Sequence, residues 1–194
     1  MALREIITVG DERLRRRSQE IAKITPEIQS LIDDMVETMH ASNGVGLAAV
    51  QVGELLNIIV VEAPEDEEVP GSGERYIVIN PEILKPSYEK EVGIEGCLSI
   101  PGYVGEVERS TSILVRGMDR RGKRFRLRAE GYLARVFQHE VDHTLGVLYI
   151  DRLAAPDRIW PVKEGEEETA EQTQKPKQEE EPEPEQELAG EARG

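Results

Sequence analysis

Apolar residues recur with two different periods along this chain. Ile28, Leu31, Ile32, Met35, Val36 and Met39 fall at i, i+3, i+4, i+7, i+8 and i+11, one stripe of an α-helix. Thr25 is placed to cap that helix, Pro26 suits its first position, and Glu27 favours the positive end of its dipole. Asn43-Gly44 marks its end, and His40 reads as a last-turn residue favourable to the dipole. Upstream, residues 2–24 mix apolar and basic groups and predict an extended segment wrapped on the domain. Leu56–Val61 and Tyr76–Ile79 are β-branched runs that predict strands, joined by the acidic loop Pro64–Glu74. Ser112–Met118 and Lys123–Arg128 flank Asp119-Arg120-Arg121-Gly122, a hairpin signal. Then the helical period returns. Leu133, Phe137 and Val141 form one row, while Tyr132, Val136, His139 and His143 form another, so this helix is predicted to be buried on several sides. Gly146 supplies its stop, and Val147–Ile150 and a short segment through Trp160 close the domain. Short strands, two helices and no βαβ alternation predict an α+β fold: antiparallel β-sheets around the central His139–His143 helix, with a second, N-terminal amphipathic helix.

Composition changes this picture only after Val162. From Lys163 to Gly194 there are twelve Glu against three Lys and one Arg, a net of −8 within a total of −15, and Leu188 is the one large aliphatic residue. Such a stretch buries too little apolar surface to offset the entropy of ordering it, so residues 1–162 are expected to be the domain and 163–194 a disordered acidic tail. Neither part has the basic excess of a nucleic-acid binder. No apolar run approaches a membrane span and no secretory h-region is present, so cytoplasmic residence without a membrane partner is expected. Cys97 is the single cysteine, which rules out an internal disulfide and leaves a thiol for packing or for a metal.

The candidate chemistry lies in three segments. In Gln138-His139-Glu140-Val141-Asp142-His143, two histidines four apart stack on one helix face with Glu140 beside them, the H-E-x-x-H pattern of two metal ligands and a general base. A catalytic site takes three protein ligands. Cys97, in Glu95-Gly96-Cys97-Leu98-Ser99, would supply the third as a thiolate. A metalloprotease of the thermolysin kind would instead use Asp151, Asp157 or Glu164, and the metzincin extension fails because Tyr149 stands where its last His belongs. Gly44-Val45-Gly46-Leu47-Ala48-Ala49-Val50-Gln51 fits a dinucleotide fingerprint by letters, but a helix rather than a strand precedes it. It reads better as exposed backbone open to a substrate, with the Gln51 amide aimed at an oxyanion. Glu95 is either a partner orienting a ligand or half of a salt bridge with an Arg.

Together and in this order, the three segments resemble the signature motifs of the peptide deformylase family, over about Ile6 to Leu153. The resemblance implies that Cys97, His139 and His143 bind one divalent metal, Fe(II) in most members, with zinc, nickel or cobalt accepted. It implies Glu140 as acid/base and Gln51 with the Leu98 backbone N–H as the oxyanion site. The implied reaction is hydrolysis of the N-formyl group of formylmethionyl nascent peptides, releasing formate, with a metal-activated water as nucleophile. Gly44, Val45 and Gly46 would line the substrate, and Val45, Tyr132 and Val136 would form the slot for the methionine side chain. Departures from the family are Gly10-Asp11 and Ser42-Asn43, where proline-containing pairs are common, and the acidic tail. Some members approach the ribosome through a basic C-terminal helix; a −8 segment would be repelled by RNA phosphates, so the tail lends ribosome docking of that kind no support.

Overall fold

Ile58-Ile59-Val60-Val61 is buried at every residue, a pattern that requires cover on both faces of its sheet. The computed structural model, which describes residues 2–162, supplies that cover; the tail expected over 163–194 lies outside the described residues. In chain order the strands are β1 (Gly46–Ala48), β2 (Ile58–Val61), β3 (Tyr76–Pro86), β4 (Lys90–Cys97), β5 (Ile100–Ser110), β6 (Ser112–Met118), β7 (Arg124–Glu130) and β8 (Ile159–Pro161). Helix α1 spans Pro26–Ala41 and α2 spans Gly131–Thr144. One sheet has the order β1-β2-β3-β6-β7 and the other β4-β5-β8, with every pairing antiparallel. The fold is α+β, as the periodicities predict.

The five-stranded sheet lies between the two helices. Ile58 and Val60 face α1 with Leu31, Ile32, Met35 and Met39. Their alternates Ile59 and Val61 face α2 with Leu133, Phe137 and Val141. Each fully buried side chain of this size contributes roughly 1.5–3 kcal/mol relative to exposure. Thr25 caps α1 through its side chain, which accepts from the Ile28 N–H. The segment before it wraps the domain: the Ile7 N–H donates to the Gln51 carbonyl and the Val9 N–H to that of Ser99, both at 2.8 Å.

Several boundaries differ from the sequence expectation. Strand β3 continues to Pro86 because Asn80, at φ 52°, takes up an irregularity in its pairing with β6. The hairpin β4–β5 and its partner β8 carry no clean alternation and were not predicted. Residues 149–152 form a 3-10 turn. Gly46–Ala48 is a buried edge strand, not exposed backbone; only Gly44 and Val45 ahead of it are half-buried. At the family departures, Gly10 has φ 111° and Asn43 φ 50°, left-handed conformations closed to proline, so these turns take another path. No helix among the described residues is long and apolar enough to cross a membrane.

Candidate metal centre

Helix α2 is buried from Leu133 to Thr144, because the strands of both sheets pack around it. That burial fixes His139 and His143 one turn apart with their Nε2 atoms 3.2 Å from each other. The end of β4 brings Cys97 against them, its Sγ 3.3 Å from His143 Nε2. One donor atom from each of Cys97, His139 and His143 lies within 4.8 Å of the others.

The tautomer of His139 is set from behind. Its Nδ1–H donates to Glu95 Oε2 at 3.0 Å, which turns the Nε2 lone pair toward the thiol. Glu95 is clamped by Arg109 through two bonds of 2.9 Å and by Arg135 Nη1 at 3.0 Å. Burial opposes ionisation of Glu95, yet the hydrogen bonds from Arg109 and His139 hold its carboxyl well below the usual range. Burial would discharge His139, but hydrogen bonds to Cys97 and Glu95 lift it above an ordinary histidine. His143 goes the other way, pushed down by burial and by the charge of His139. The two rings thus compete for one positive charge beside a thiol. A divalent cation satisfies all three donors together, and Cys/His₂ is a ligand set it accepts.

Glu140 is 4% exposed and its Oε2 has no hydrogen-bond partner among the described residues. Burial, reinforced by the charge of Glu95, lifts its carboxyl to about 7 against the opposing pull of His139 and Arg109. Gly46 on β1 runs directly over this carboxyl: a Cβ there would lie 2.8 Å from both Glu140 Cγ and Cδ and nearer still to Oε1. Gln51 follows β1 in a 3-10 turn and is 1% exposed. Its Oε1 accepts from the Ala48 N–H at 2.8 Å, while Nε2 donates to Ser99 Oγ at 3.2 Å and lies 3.6 Å from Cys97 Sγ. Leu98 occupies the two-residue turn between β4 and β5, and a Cβ on Gly44 would meet its side chain at 2.8 Å.

One pocket gathers these groups. Gly44, Val45, Gly46, Gln51, Cys97, Leu98, Tyr132, Val136, His139 and Glu140 all line it, and His143 lies beneath it, fully buried. The rival third ligands are elsewhere. Asp151 accepts from the Leu148 N–H and pairs with Arg15, Asp157 is exposed, and Glu164 lies outside the described residues. Tyr149, the metzincin position, stacks on the His139 ring at 6.2 Å and donates its hydroxyl to the Tyr103 carbonyl. His40, at the end of α1, pairs with Glu62 at 3.0 Å.

Of the two readings offered for Glu95, orienting a ligand and pairing with an Arg, the structure shows both, but sequence reasoning missed Arg109, Asp142 and Arg152 behind the centre. Arg109 joins Glu95 to Asp142, and Arg152 holds Asp142 from the other side at 2.7 Å. Asp142 sits three residues after His139 and so next to the ligand face; that spacing was the available signal.

Known proteins share this sequence and this fold. Residues 3–158 match the family model of polypeptide deformylase. A peptide deformylase of Thermomicrobium roseum is 45% identical over 172 residues, covering 88% of this chain and 97% of that one. The crystal structure of an Ehrlichia chaffeensis peptide deformylase superposes with a TM-score of 0.76 at 42% identity, over 79% of this chain and 89% of that one. A class I type b peptide deformylase of Acinetobacter baumannii, with Met-Ala-Ser bound, gives a TM-score of 0.74 at 32% identity, over 78% of this chain and 99% of that one. By its sequence, its topology and the grouping of these side chains, the chain belongs to the polypeptide deformylase family, whose members are metallohydrolases.

Proposed function

We propose that this chain hydrolyses the N-formyl group of formylmethionyl nascent peptides, with Cys97, His139 and His143 holding one divalent cation and Glu140 moving the proton. The observation that carries the reading is the meeting of those three donors within 4.8 Å beside a buried carboxyl. The cation, when bound, supplies Lewis-acid polarisation of water and of the formyl oxygen. Thiolate and imidazole ligands suit iron(II), zinc, nickel and cobalt; iron(II) is the assignment we favour on family grounds.

The rest is done by the chain itself. Glu140, near 7, is matched to accepting a proton from the attacking water at neutral pH. It returns that proton to the amide nitrogen as the C–N bond breaks, which leaves formate and a free amine. The Gln51 amide and the Leu98 N–H serve the developing oxyanion, and removal of one such donor typically costs about 3 kcal/mol of barrier. Ala48 and Ser99 fix the Gln51 amide, so its donor is oriented before substrate arrives. Glu95, itself clamped by two arginines, keeps His139 in the ligating tautomer. Val45, Tyr132 and Val136 form the apolar wall proposed for the methionine side chain, in keeping with the Met-Ala-Ser held by the Acinetobacter protein. Gly44 and Val45, half-buried just ahead of β1, offer backbone to an extended peptide.

Formate release decides the question. A formyl-Met peptide should yield formate in proportion to bound metal, while its acetylated and unblocked counterparts stay intact. Cleavage inside the unblocked peptide would replace this reading with an endopeptidase.

A further inference from the structure

Between Arg116 and Arg128 the chain carries six Arg and one Lys against one Asp. That net of +6 leaves −13 for the rest of residues 1–162, whose total is −7. The charge is concentrated on the β6–β7 ribbon at one edge of the five-stranded sheet. Arg124, Arg126 and Arg128 alternate with the half-buried Phe125 and Leu127, so all three stand exposed on one face. Arg116 lies directly opposite Arg126 in the ladder, a like-charge pair of which only Arg116 has a carboxylate beside it. Arg116, Arg120 and Arg128 have carboxylate partners in Glu82, Asp33 and Glu130. Among the described residues, Arg121, Lys123, Arg124 and Arg126 have no ion-pair partner. Arg116, Arg124 and Arg126 also line a cleft with Asn80 and Glu20.

We propose that this basic face is the docking surface for the chain's own acidic segment, Lys163–Gly194. Charge complementarity selects the occupant. Six Glu and no basic residue fall between Glu179 and Glu187, and the rest of residues 1–162 carries a net −13. Reach allows it. The 17 residues from Val162 to Glu179 span up to about 58 Å extended. A domain of this length is roughly 40 Å across. Tethering holds the glutamates at an effective concentration on the order of millimolar, far above that of a free competitor. Docking supplies counter-charge to Arg124 and Arg126 and competes with other polyanions for the face, while the pocket of Cys97, His139 and Glu140 lies by β1, at the other edge of the five-stranded sheet.

The test compares amide spectra of the full chain and of a chain ended at Val162, both metal-loaded, at about 10 mM and about 1 M salt. Truncation should move the amides of Arg120–Arg128 at low salt, and the two spectra should coincide over that ribbon at high salt. A full chain with Glu179, Glu180, Glu181, Glu183, Glu185 and Glu187 changed to Gln should reproduce the truncated spectrum. Polyuridylate should bind the truncated chain at least about tenfold more tightly than the full chain, because the tethered competitor is gone. Coincident ribbon amides at low salt would overturn the proposal. So would equal binding of polyuridylate by both chains, which would assign the face to nucleic acid. Formate release unchanged by truncation establishes that the shortened chain is folded.

Discussion

A single methyl group on Gly46 tests whether the position of Glu140 controls turnover. In Gly46→Ala the new Cβ would lie 2.8 Å from Glu140 Cγ and Cδ. Ordinary contact begins near 3.4 Å and Oε1 is closer still, so one side must move by at least about 0.6 Å. The β1 backbone cannot yield easily, since it is buried and paired along its length with β2. The Glu140 side chain can, because among the described residues its Oε2 has no partner to hold it. The carboxyl is therefore displaced from the reacting atoms. A misplacement near 1 Å costs on the order of 10²-fold in rate, so kcat should fall by tens to about a hundredfold. Overpacking at a buried site costs about 1–3 kcal/mol. For a domain of this size that lowers Tm by roughly 2–12 °C. Metal content should be unchanged, because neither residue is a proposed ligand. Formate release, metal analysis and a thermal melt on one preparation read all three. Turnover within about twofold of the parent would refute the contact between β1 and Glu140. Loss of metal together with activity would show that the damage lies in the ligands.

Three further outcomes follow from the same geometry. Cys97→Ala should lose most of its metal, since the thiolate is one of three donors; unchanged metal content would remove Cys97 from the ligand set. Only ionised Glu140 accepts a proton, and burial holds its carboxyl up to about 7, so kcat/KM should fall as pH drops below that value and level off above it. A bound cation favours the ionised form and moves this limb to lower pH. No acidic limb at any pH at which the metal stays bound would exclude Glu140 from proton transfer, as would full turnover in metal-loaded Glu140→Ala. Arg109→Met leaves Glu95 and Asp142 short of their shared buried counter-charge, which should cost about 3–5 kcal/mol of stability by denaturant titration. Metal affinity should fall roughly 10–100-fold as Glu95 loses its hold on His139, and unchanged values of both would make the network incidental.

What was legible in the sequence was local. The stripe of α1, its Thr25 cap and the Asp119–Gly122 turn each act within a few residues; Asp119 Oδ1 accepts from the Arg121 and Lys123 N–H groups at 2.8 and 2.9 Å. Helix α2 could be read because its apolar rows and two histidines share one period. Strand β4 could not, since its pattern answers to a distant group: Gly93 stands where a Cβ would meet the Arg135 guanidinium at 2.7 Å, and that guanidinium donates to the Glu91 carbonyl. Gly46 is the same case. Read as exposed backbone open to a substrate, it is a buried crossing of β1 over Glu140, and the letter G does not distinguish the two. The buried charges were hidden for the converse reason. Arg109 shares its face of β5 with buried Val107, but a charged residue between Glu108 and Ser110 does not announce that it meets Glu95 and Asp142 in the interior, a meeting that α2 and β4 complete. The donors of the site were therefore visible as residue types, whereas the groups that orient them became visible only once the sheets were closed. A sequence pattern reports what a segment asks of its own backbone; the orientation of His139 depends on Glu95 and Arg109, 44 and 30 residues away, and no local period encodes it.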